Sequence, residues 1–347
     1  MKRFKAVFCL VFAAVLLSAC SLFNNDGKEN IDPPQKVSYE DDIDVTKENA
    51  GGKDGQSPEI IHTELYLIDK NGYVVPKNVE LPNTESAAKQ ALEYLVVDGP
   101  VTELLPDDFR AVLPPGTEMT VDIKDGTAIV DFSKEFGDYA PEDEIRVLQS
   151  VTWTLTQFDT IDRVKLMLNG NELKEMPVNG TPINGELTRE DGINIDTDDA
   201  VDILNTYPVT VYYVGQTDGE TYYVPVTKRV SKEKKDKITA AVEELIKGPN
   251  VTTPLYTLFM DDVKLLDKPE VKDGIVTLNF NENIYGSYEQ KLISREVLDT
   301  LVLSLTELED IKGVSIHVNG KQDVLNQDGN PLDEPVMRPA KVNTGSL

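Results

Sequence analysis

The sequence predicts an α+β protein in which one domain occurs twice. The stretch Lys124–Phe132, a Lys-Asp-Gly turn that leads into a strand, returns as Lys272–Phe280, and 272 − 124 = 148. Segments with the periodicity of strands and helices follow one another in the same order around both stretches. The 347 residues are also enough for about two domains of ~150 residues each. We therefore expect a tandem duplication.

The first copy is predicted to contain five strands and two helices. Alternating apolar residues indicate strands, and apolar residues three and four positions apart indicate helices. The predicted order is strand Leu65–Ile68, strand Tyr73–Val79, helix Thr84–Val97, strands Met119–Ile123 and Ala128–Phe132, a helix with Ile145, Leu148, Thr152 and Leu155 facing inward, and strand Val164–Leu168. Gly99 is expected to cap the first helix at its C-terminus.

The second copy repeats this order. Its predicted elements are strands Val209–Val214 and Tyr222–Val226, helix Lys234–Lys247, the Lys-Asp-Gly hairpin, a helix carrying Ile293, Leu298, Leu301 and Leu305, and strand Val314–Val318. A capping box of Ser287 and Gln290 is expected to start the last helix. Pro225 matches Pro76, and proline favours an edge strand. Each copy is thus β-β-α-β-β-α-β, which predicts a mixed sheet with two helices on one face.

The N-terminus has the pattern of a lipoprotein signal peptide. Three basic residues precede the apolar run Ala6–Leu17, which is too short to span a membrane comfortably. The run ends in Leu17-Ser18-Ala19-Cys20, which resembles the bacterial lipoprotein box; the alternative is an ordinary cleaved signal with an incidental cysteine. We expect residues 1–19 to be removed, Cys20 to carry lipid such as palmitate, and residues 20–58 to form a disordered acidic tether.

The two domains are predicted to span residues 59–189 and 207–341, with an acidic linker at 190–206 and a tail at 342–347. Within the linker, Asn194, Asp196 and Asp198 alternate as at the start of a calcium-binding loop. The glycine at the sixth position and the late glutamate of an EF-hand are missing. We therefore favour a solvated linker over a calcium site.

Charge and cysteine content exclude several classes of function. A net charge of −27 argues against binding to nucleic acid and against adhesion to anionic lipids or wall polymers, which need clustered lysine and arginine. Both cysteines, Cys9 and Cys20, lie in the first twenty residues. The folded part therefore has no thiol for a disulfide, a nucleophile or a metal site.

Residues with catalytic potential are scarce. The two histidines, His62 and His317, fall in different copies, and no zinc, phosphate-binding or hydrolase motif occurs. Trp153 is predicted at the edge of the core rather than as a platform for a sugar. Acidic residues that could be considered for catalysis are interpreted as surface charges: Glu93, Asp131 and Glu135. We predict no enzyme activity and no catalytic, cofactor-binding or metal-binding residue.

A cluster of tyrosines near the second opening hairpin gives an alternative function. These residues are Tyr207, Tyr212, Tyr213, Tyr222 and Tyr223. Exposed aromatic rings could bind peptidoglycan, whereas tyrosines in a strand are also ordinary β-sheet residues. Both interpretations stay open at this stage.

Several stretches resemble the GerM family of sporulation and germination proteins, which carry GerMN domains. In the first copy they are Leu95–Pro100, Leu113–Thr117, the Asp125-Gly126 hairpin with Val130–Ser133, helix Val147–Leu155 and Val164–Gly170. In the second they are Leu245–Pro249, Asp273-Gly274 with Leu278–Phe280, and Val314–Gly320. The second copy departs from the pattern at Leu265–Pro269, which puts the shape of that loop in doubt.

The resemblance implies a lipoprotein with two GerMN domains that resemble ring-building motifs. It further implies a scaffold or assembly factor that is anchored to the membrane through lipid on Cys20. Its location would be the extracytoplasmic face of the cell membrane and, in sporulating cells, the intermembrane space around the forespore. Partners would be proteins of the mother cell–forespore channel or of the envelope, with peptidoglycan, activation of cortex hydrolysis and self-association as further alternatives.

Overall fold

The computed structural model describes residues 60–101, 104–105, 108–197, 203–217, 220–233, 236–287 and 289–344. The predicted signal peptide, Cys20 and the predicted tether lie outside these residues, as do the linker acids Asp198, Asp199 and Asp202. Both copies belong to one compact unit. Within the described residues, no helix combines the length and the apolar character that a membrane-spanning helix needs.

The first repeat contains the predicted elements and two additional short strands. Its elements in chain order are β1 (Ile60–Asp69), β2 (Val74–Pro82), α1 (Ala87–Glu93), β3 (Phe109–Arg110), β4 (Met119–Lys124), β5 (Thr127–Phe132), α2 (Glu144–Leu155), β6 (Arg163–Leu168) and β7 (Asn171–Glu172). The antiparallel hairpin β1–β2 forms a sheet with β3. The second sheet has the order β4-β5-β6-β7, in which β5 and β6 are parallel because α2 connects them.

The second repeat has the same architecture. Its elements are β8 (Thr206–Thr217), β9 (Glu220–Ser231), α3 (Lys237–Lys247), β10 (Glu270–Lys272), β11 (Ile275–Phe280), β12 (Leu292–Ile293), α4 (Arg295–Leu305), β13 (Gly313–Val318), β14 (Leu325–Asn326) and β15 (Val336–Met337). The mixed sheet has the order β10-β11-β13-β15, and β8–β9 form a separate hairpin. The duplicated α+β fold with a mixed sheet in each copy is confirmed, with the opening hairpin of each copy outside the mixed sheet.

The Lys-Asp-Gly stretches form the predicted tight turns. Asp125 and Gly126 have φ of 51° and 78°, and Asp273 and Gly274 have φ of 53° and 82°. Two successive residues at positive φ match the right-handed twist of the flanking strands, which is why Asp-Gly is favoured in two-residue hairpins. The turn therefore recurs because the hairpin requires it.

Helix termini differ from the prediction in two places. The first helix ends at Glu93 rather than Val97, and Asp98 instead of Gly99 adopts positive φ (59°). A Cβ on Gly99 would lie 2.8 Å from the Val96 carbonyl oxygen, so this glycine is needed for close approach and not as a C-cap. The predicted capping box was wrong as well, because β12 precedes the last helix and Ser294 accepts from the Val297 amide (3.3 Å).

One predicted core residue lies on the surface and another is more buried than expected. Ile145 is 44% exposed, although the helical spacing placed it inward. Trp153 is only 1% exposed, so it cannot serve as a platform for a sugar. The largest buried side chains otherwise follow the predicted strands, for example Leu65, Phe132 and Phe280.

The Gly274 turn gives a stability prediction. A Cβ added at Gly274 would lie 3.2 Å from the Asp310 carbonyl oxygen. The Asp310 segment is held in place because the Lys312 amide donates to the Gly274 carbonyl oxygen (2.7 Å). Gly274→Ala should therefore lower the free energy of unfolding by about 2 kcal/mol, of which the left-handed backbone alone accounts for about 1 kcal/mol. Urea unfolding checks this value. Gly320→Ala, with φ of 73° and no atom within 4 Å, is the matched control and should cost less; equal losses would contradict the role of the contact.

Candidate functional site: the interface between the repeats

Two asparagines join the opening hairpins of the two repeats. Asn194 accepts from the Val74 amide (2.8 Å) and donates through Nδ2 to the carbonyl oxygens of Val74 (2.7 Å) and Pro225 (2.8 Å). It therefore holds β2 of its own repeat and β9 of the other. Asn194 has φ of 46°, a conformation that asparagine tolerates better than most residues.

Asn343 makes the same contacts with the repeats exchanged. It accepts from the Tyr223 amide (2.7 Å) and donates to the carbonyl oxygens of Tyr223 and Pro76, both at 2.8 Å. Equivalent positions are 149 residues apart, since 343 − 194 = 149 and 223 − 74 = 149. Reciprocal contacts of this kind define an internal pseudo-twofold axis between the repeats.

The first part of the predicted linker is built into this interface. Ile193 is fully buried, and its carbonyl accepts from the Thr227 amide (2.9 Å). Asp196 pairs with the buried Lys228 at 2.7 Å. Unlike the residues of a solvated linker, Ile193 and Asp196 therefore pack against β9 and bind it. Asn194 and Asp196, two of the residues considered for calcium, are engaged here, and within the described ranges no group of three or more His, Cys, Asp or Glu residues is arranged to hold a metal ion.

A second pair of equivalent residues, Arg189 and Arg338, converges on a single carboxylate. Arg189 Nη1 lies 2.7 Å from Glu307 Oε2, and Arg338 Nη2 lies 2.9 Å from Glu307 Oε1. The Tyr212 hydroxyl donates to the same Oε1 at 2.8 Å. The Arg189 guanidinium also lies 4.4 Å from the centroid of the Trp153 ring. Both repeats are thus connected through one ion cluster near the pseudo-twofold axis.

Each arginine also hydrogen-bonds a threonine after the second helix of its own repeat. Arg189 Nε donates to Thr156 Oγ1 (3.1 Å), and Arg338 Nη1 donates to Thr306 Oγ1 (3.0 Å). The two repeats differ at the acidic residue, because the first repeat has Gln157 where the second has Glu307. Gln157 binds both backbone groups of Glu64 at 2.6 Å instead.

The ion cluster determines the protonation state of Glu307. Burial by itself would raise the pKa of this carboxyl group. The two guanidinium groups and the Tyr212 hydroxyl outweigh burial and lower the pKa of Glu307 to about 2. The carboxylate therefore stays ionised at every physiological pH, and the cluster is permanently charged.

A cavity of about 700 Å³ lies beside the cluster. The turns that follow α2 and α4 line it, together with Arg189, Arg338 and His62. Carboxylates outnumber basic groups around it: Glu64, Asp159, Asp162, Glu307, Glu309 and Asp310. His317 does not join His62, since it lies on β13 opposite Asn279 of β11. The two histidines therefore occupy different sheets.

A second buried carboxylate, Glu144, was not predicted from the sequence. It accepts hydrogen bonds from the amides of Val178, Asn179 and Thr181 and from the Tyr139 hydroxyl (2.8 Å). Burial would raise the pKa of Glu144, but these donors lower it to about 2. Its role is to hold the loop after β7 against the start of α2. The sequence signal was weak, because an acidic residue in the first helical turn is common on surfaces too.

The tyrosines that suggested wall binding are mostly buried. Tyr212, Tyr213 and Tyr222 are at most 4% exposed, and the Tyr222 hydroxyl donates to Asp69 Oδ2 (2.7 Å). The Tyr223 hydroxyl donates to Asp299 Oδ2 (2.8 Å). These rings therefore support the interface and do not form an exposed platform.

The remaining acids considered from the sequence have local partners. Glu93 Oε1 lies 3.3 Å from Lys89 Nζ, and Glu135 Oε1 lies 3.8 Å from Lys134 Nζ. Asp131 accepts from the Gly170 amide (2.9 Å). The fold does not bring these three acids into one site with the interface cluster.

Comparisons with known proteins agree with the duplication. Residues 64–174 and 210–324 both match the family model Germane, described as sporulation and spore germination. The spore germination protein GerM of Bacillus subtilis (strain 168) is 54% identical over 355 residues, which cover 98% of this chain and 97% of the relative. The solved tandem GerMN domains of the sporulation protein GerM from Bacillus subtilis align with a TM-score of 0.79 and 58% identity, covering 82% of this chain and 100% of that one. The predicted resemblance to GerM with two GerMN domains is confirmed.

Substitution of Glu307 tests the cluster. Glu307→Gln leaves two half-buried guanidinium groups without their carboxylate and should lower the free energy of unfolding at pH 7 by about 3 kcal/mol. Because the pKa of Glu307 is lower in the folded than in the unfolded state, its contribution is present above about pH 4.5 and is lost as the pH falls toward 2. The difference in stability between wild type and variant should shrink in that window. Urea unfolding at several pH values measures it.

The control for this substitution is Glu309→Gln. Glu309 is exposed two residues further along the same turn. Its substitution should change the free energy of unfolding by less than about 0.5 kcal/mol. A Glu307→Gln protein as stable as this control at pH 7 would refute the cluster as a determinant of the interface.

Proposed function

The chain is a member of the Germane family of sporulation and spore germination proteins, and from this membership we propose that it is a non-enzymatic scaffold or assembly factor of spore formation. Relatives in this family are named for sporulation and germination. The proposal extends that role to a membrane-anchored protein that arranges other envelope proteins. The observation that carries it is the fixed orientation of the two GerMN domains.

The interface supports a scaffold because contacts from both repeats join the two domains into one compact unit. Asn194 and Asn343 each hold backbone groups of both hairpins. The cluster at Glu307 adds charge-assisted hydrogen bonds from both arginines. Two domains joined in this way present their outer surfaces in one defined arrangement, which an assembly factor needs in order to position its partners.

The chemistry of the buried acids supports the non-enzymatic part of the proposal. A cortex hydrolase needs a carboxylic acid whose pKa is raised so that it can protonate a leaving group. The pKa of Glu144 and that of Glu307 are both lowered to about 2. Burial raises the pKa of Asp299, but this carboxyl group is engaged by the Tyr223 hydroxyl within the second repeat. The carboxylates of Glu144 and Glu307 accept hydrogen bonds within the protein and are suited to structural roles.

Membrane anchoring through lipid on Cys20 is the second part of the proposal. The lipoprotein box at Leu17–Cys20 supports it, and the implied location is the extracytoplasmic face of the membrane, around the forespore in sporulating cells. The partners we propose are proteins of the channel between mother cell and forespore or of the neighbouring envelope. Peptidoglycan binding or activation of cortex hydrolysis is a weaker alternative, because the tyrosines that suggested a wall ligand are mostly buried.

Crosslinking in sporulating cells tests anchoring and assembly together. The full-length chain should sediment with membranes and should crosslink to a small set of envelope proteins. Cys20→Ala should shift the protein to the soluble fraction and reduce the captured set at least tenfold. Cys9→Ala, which alters the other cysteine, is the matched control and should behave as wild type. Sedimentation of Cys20→Ala with an unchanged captured set would refute the anchored scaffold.

A further inference from the structure

The mixed sheet of the first repeat is bounded by an edge strand, β4. In the sheet order β4-β5-β6-β7 it is the outermost strand, and within the described ranges it pairs with β5 alone. The Glu118 carbonyl, one residue before β4, accepts from the Ser133 amide (2.9 Å). Backbone groups of every second residue point to the same side of a strand, so the even-numbered residues of β4 face β5. The amides and carbonyls of Met119, Val121 and Ile123 therefore point outward.

The two faces of β4 differ in polarity. Met119 is buried in the core, and Val121 and Ile123 pack against the core from the same face of the strand. The opposite face is exposed and carries the polar side chains of Glu118, Thr120, Asp122 and Lys124. Charged residues often protect an edge strand from pairing. Here they lie on one face of the sheet and leave the hydrogen-bonding edge itself open.

The second repeat blocks the same edge with a proline. Pro269 stands three residues before Lys272, as Val121 stands three residues before Lys124, since 272 − 269 = 124 − 121 = 3. Proline has no N–H to donate to a neighbouring strand. β10 has only three residues, whereas β4 has six. Proline and a short strand are common protections of an edge, and their absence from β4 indicates that this edge is used.

β4 is complementary to itself in one antiparallel register. With Val121 opposite Val121 of a second copy, Met119 lies opposite Ile123, so every outward-pointing residue of one strand faces an outward-pointing residue of the other. Each facing pair exchanges both of its backbone hydrogen bonds, which gives about six bonds in total. Other registers leave at least one of these residues without a partner in β4.

The same register places opposite charges across the pair. Glu118 lies opposite Lys124 of the second copy on the exposed face, and twofold symmetry makes this contact twice. Thr120 lies opposite Asp122, so no acidic side chain directly faces another. The net charge of −27 repels whole copies, but at about 0.15 M salt charges more than about 8 Å apart are largely screened. The strand is therefore a better partner for a second copy of itself than for a strand of arbitrary sequence.

We propose that two copies of this chain associate through β4, antiparallel and with Val121 at the twofold axis, so that their mixed sheets become one continuous sheet. The contact is isologous and closes at two copies. It leaves the interface between the repeats untouched. The inference rests on the geometry of β4 and does not depend on the proposed scaffold function.

Exchange of charges tests the pairing. Sedimentation of the full-length chain in detergent, at concentrations up to about 1 mM so that even a millimolar dimer is detected, should show a monomer–dimer equilibrium. Glu118→Lys and Lys124→Glu each place like charges opposite each other and should weaken the dimer about tenfold. An equimolar mixture of the two variants restores the ion pairs and should associate at least as tightly as the wild type. Glu270→Lys and Lys272→Glu, on the interrupted edge of the second repeat, are the matched controls and should leave the dimer unchanged.

Two results would overturn the proposal: a wild-type chain that stays monomeric, or a mixture that associates no more tightly than its components. The first result would assign the β4 edge to residues 20–58 of the same chain or to a strand of another protein. Because Glu118 and Lys124 are exposed, each variant should unfold at the same urea concentration as the wild type. The loss of association is then separated from a loss of folding.

Disulfide formation tests the register. In the proposed pair Thr120 lies opposite Asp122 at a non-hydrogen-bonded position, where Cα atoms are about 4.5 Å apart and a disulfide can form. In a chain that carries Cys9→Ala and Cys20→Ala, a mixture of Thr120→Cys and Asp122→Cys proteins under an added oxidant should give at least tenfold more linked dimer than either protein alone. Equal linkage by either protein alone would contradict the register and with it the proposal.

Discussion

The reciprocal asparagine contacts are the constraint on which the arrangement of the two domains depends. Asn194 and Asn343 each come from the segment after one repeat and each bind backbone groups of both hairpins. Pro76 and Pro225, which the sequence placed on edge strands, provide the carbonyl acceptors across the interface. The hairpin edges are therefore covered by the opposite repeat. Neither repeat completes these contacts without the other.

The two copies carry different side chains at positions that contact this shared frame. Glu307 pairs with both arginines, whereas Gln157 binds the backbone of β1. Because both guanidinium groups bind the carboxylate of the second repeat, the two repeats are no longer equivalent at this interface. The copies also differ at Val74, which stands where the second repeat has Tyr223. The shared frame thus carries different side chains in the two copies.

The sequence was sufficient for local structure and insufficient for the interface. Hairpins such as Lys124–Thr127 follow from the turn residues themselves, because positive φ is a property of a few residue types. Asn194 lies in what looked like a linker and Arg189 lies directly before it, and both make contacts with residues more than thirty positions away. Ile145 satisfied the helical spacing, but the spacing alone does not say which face meets the opposite repeat. Tyr212 and Tyr223 were ambiguous for the same reason.

The second copy also departs from the first at the edge of its mixed sheet. Leu265 bridges Phe280 as Met119 pairs with Phe132, yet the chain takes 272 − 265 = 7 steps to reach the turn instead of 124 − 119 = 5. The two extra residues lie at Asp267–Pro269, where the sequence had already departed from the family pattern. The facing edges of the two hairpins are engaged with each other, so a partner strand would have to pair with another edge. The edge strand β4 of the first repeat is continuous, whereas the corresponding edge of the second repeat is interrupted before β10. The two repeats therefore present different edge strands to a partner, and the outer faces of the pair are asymmetric.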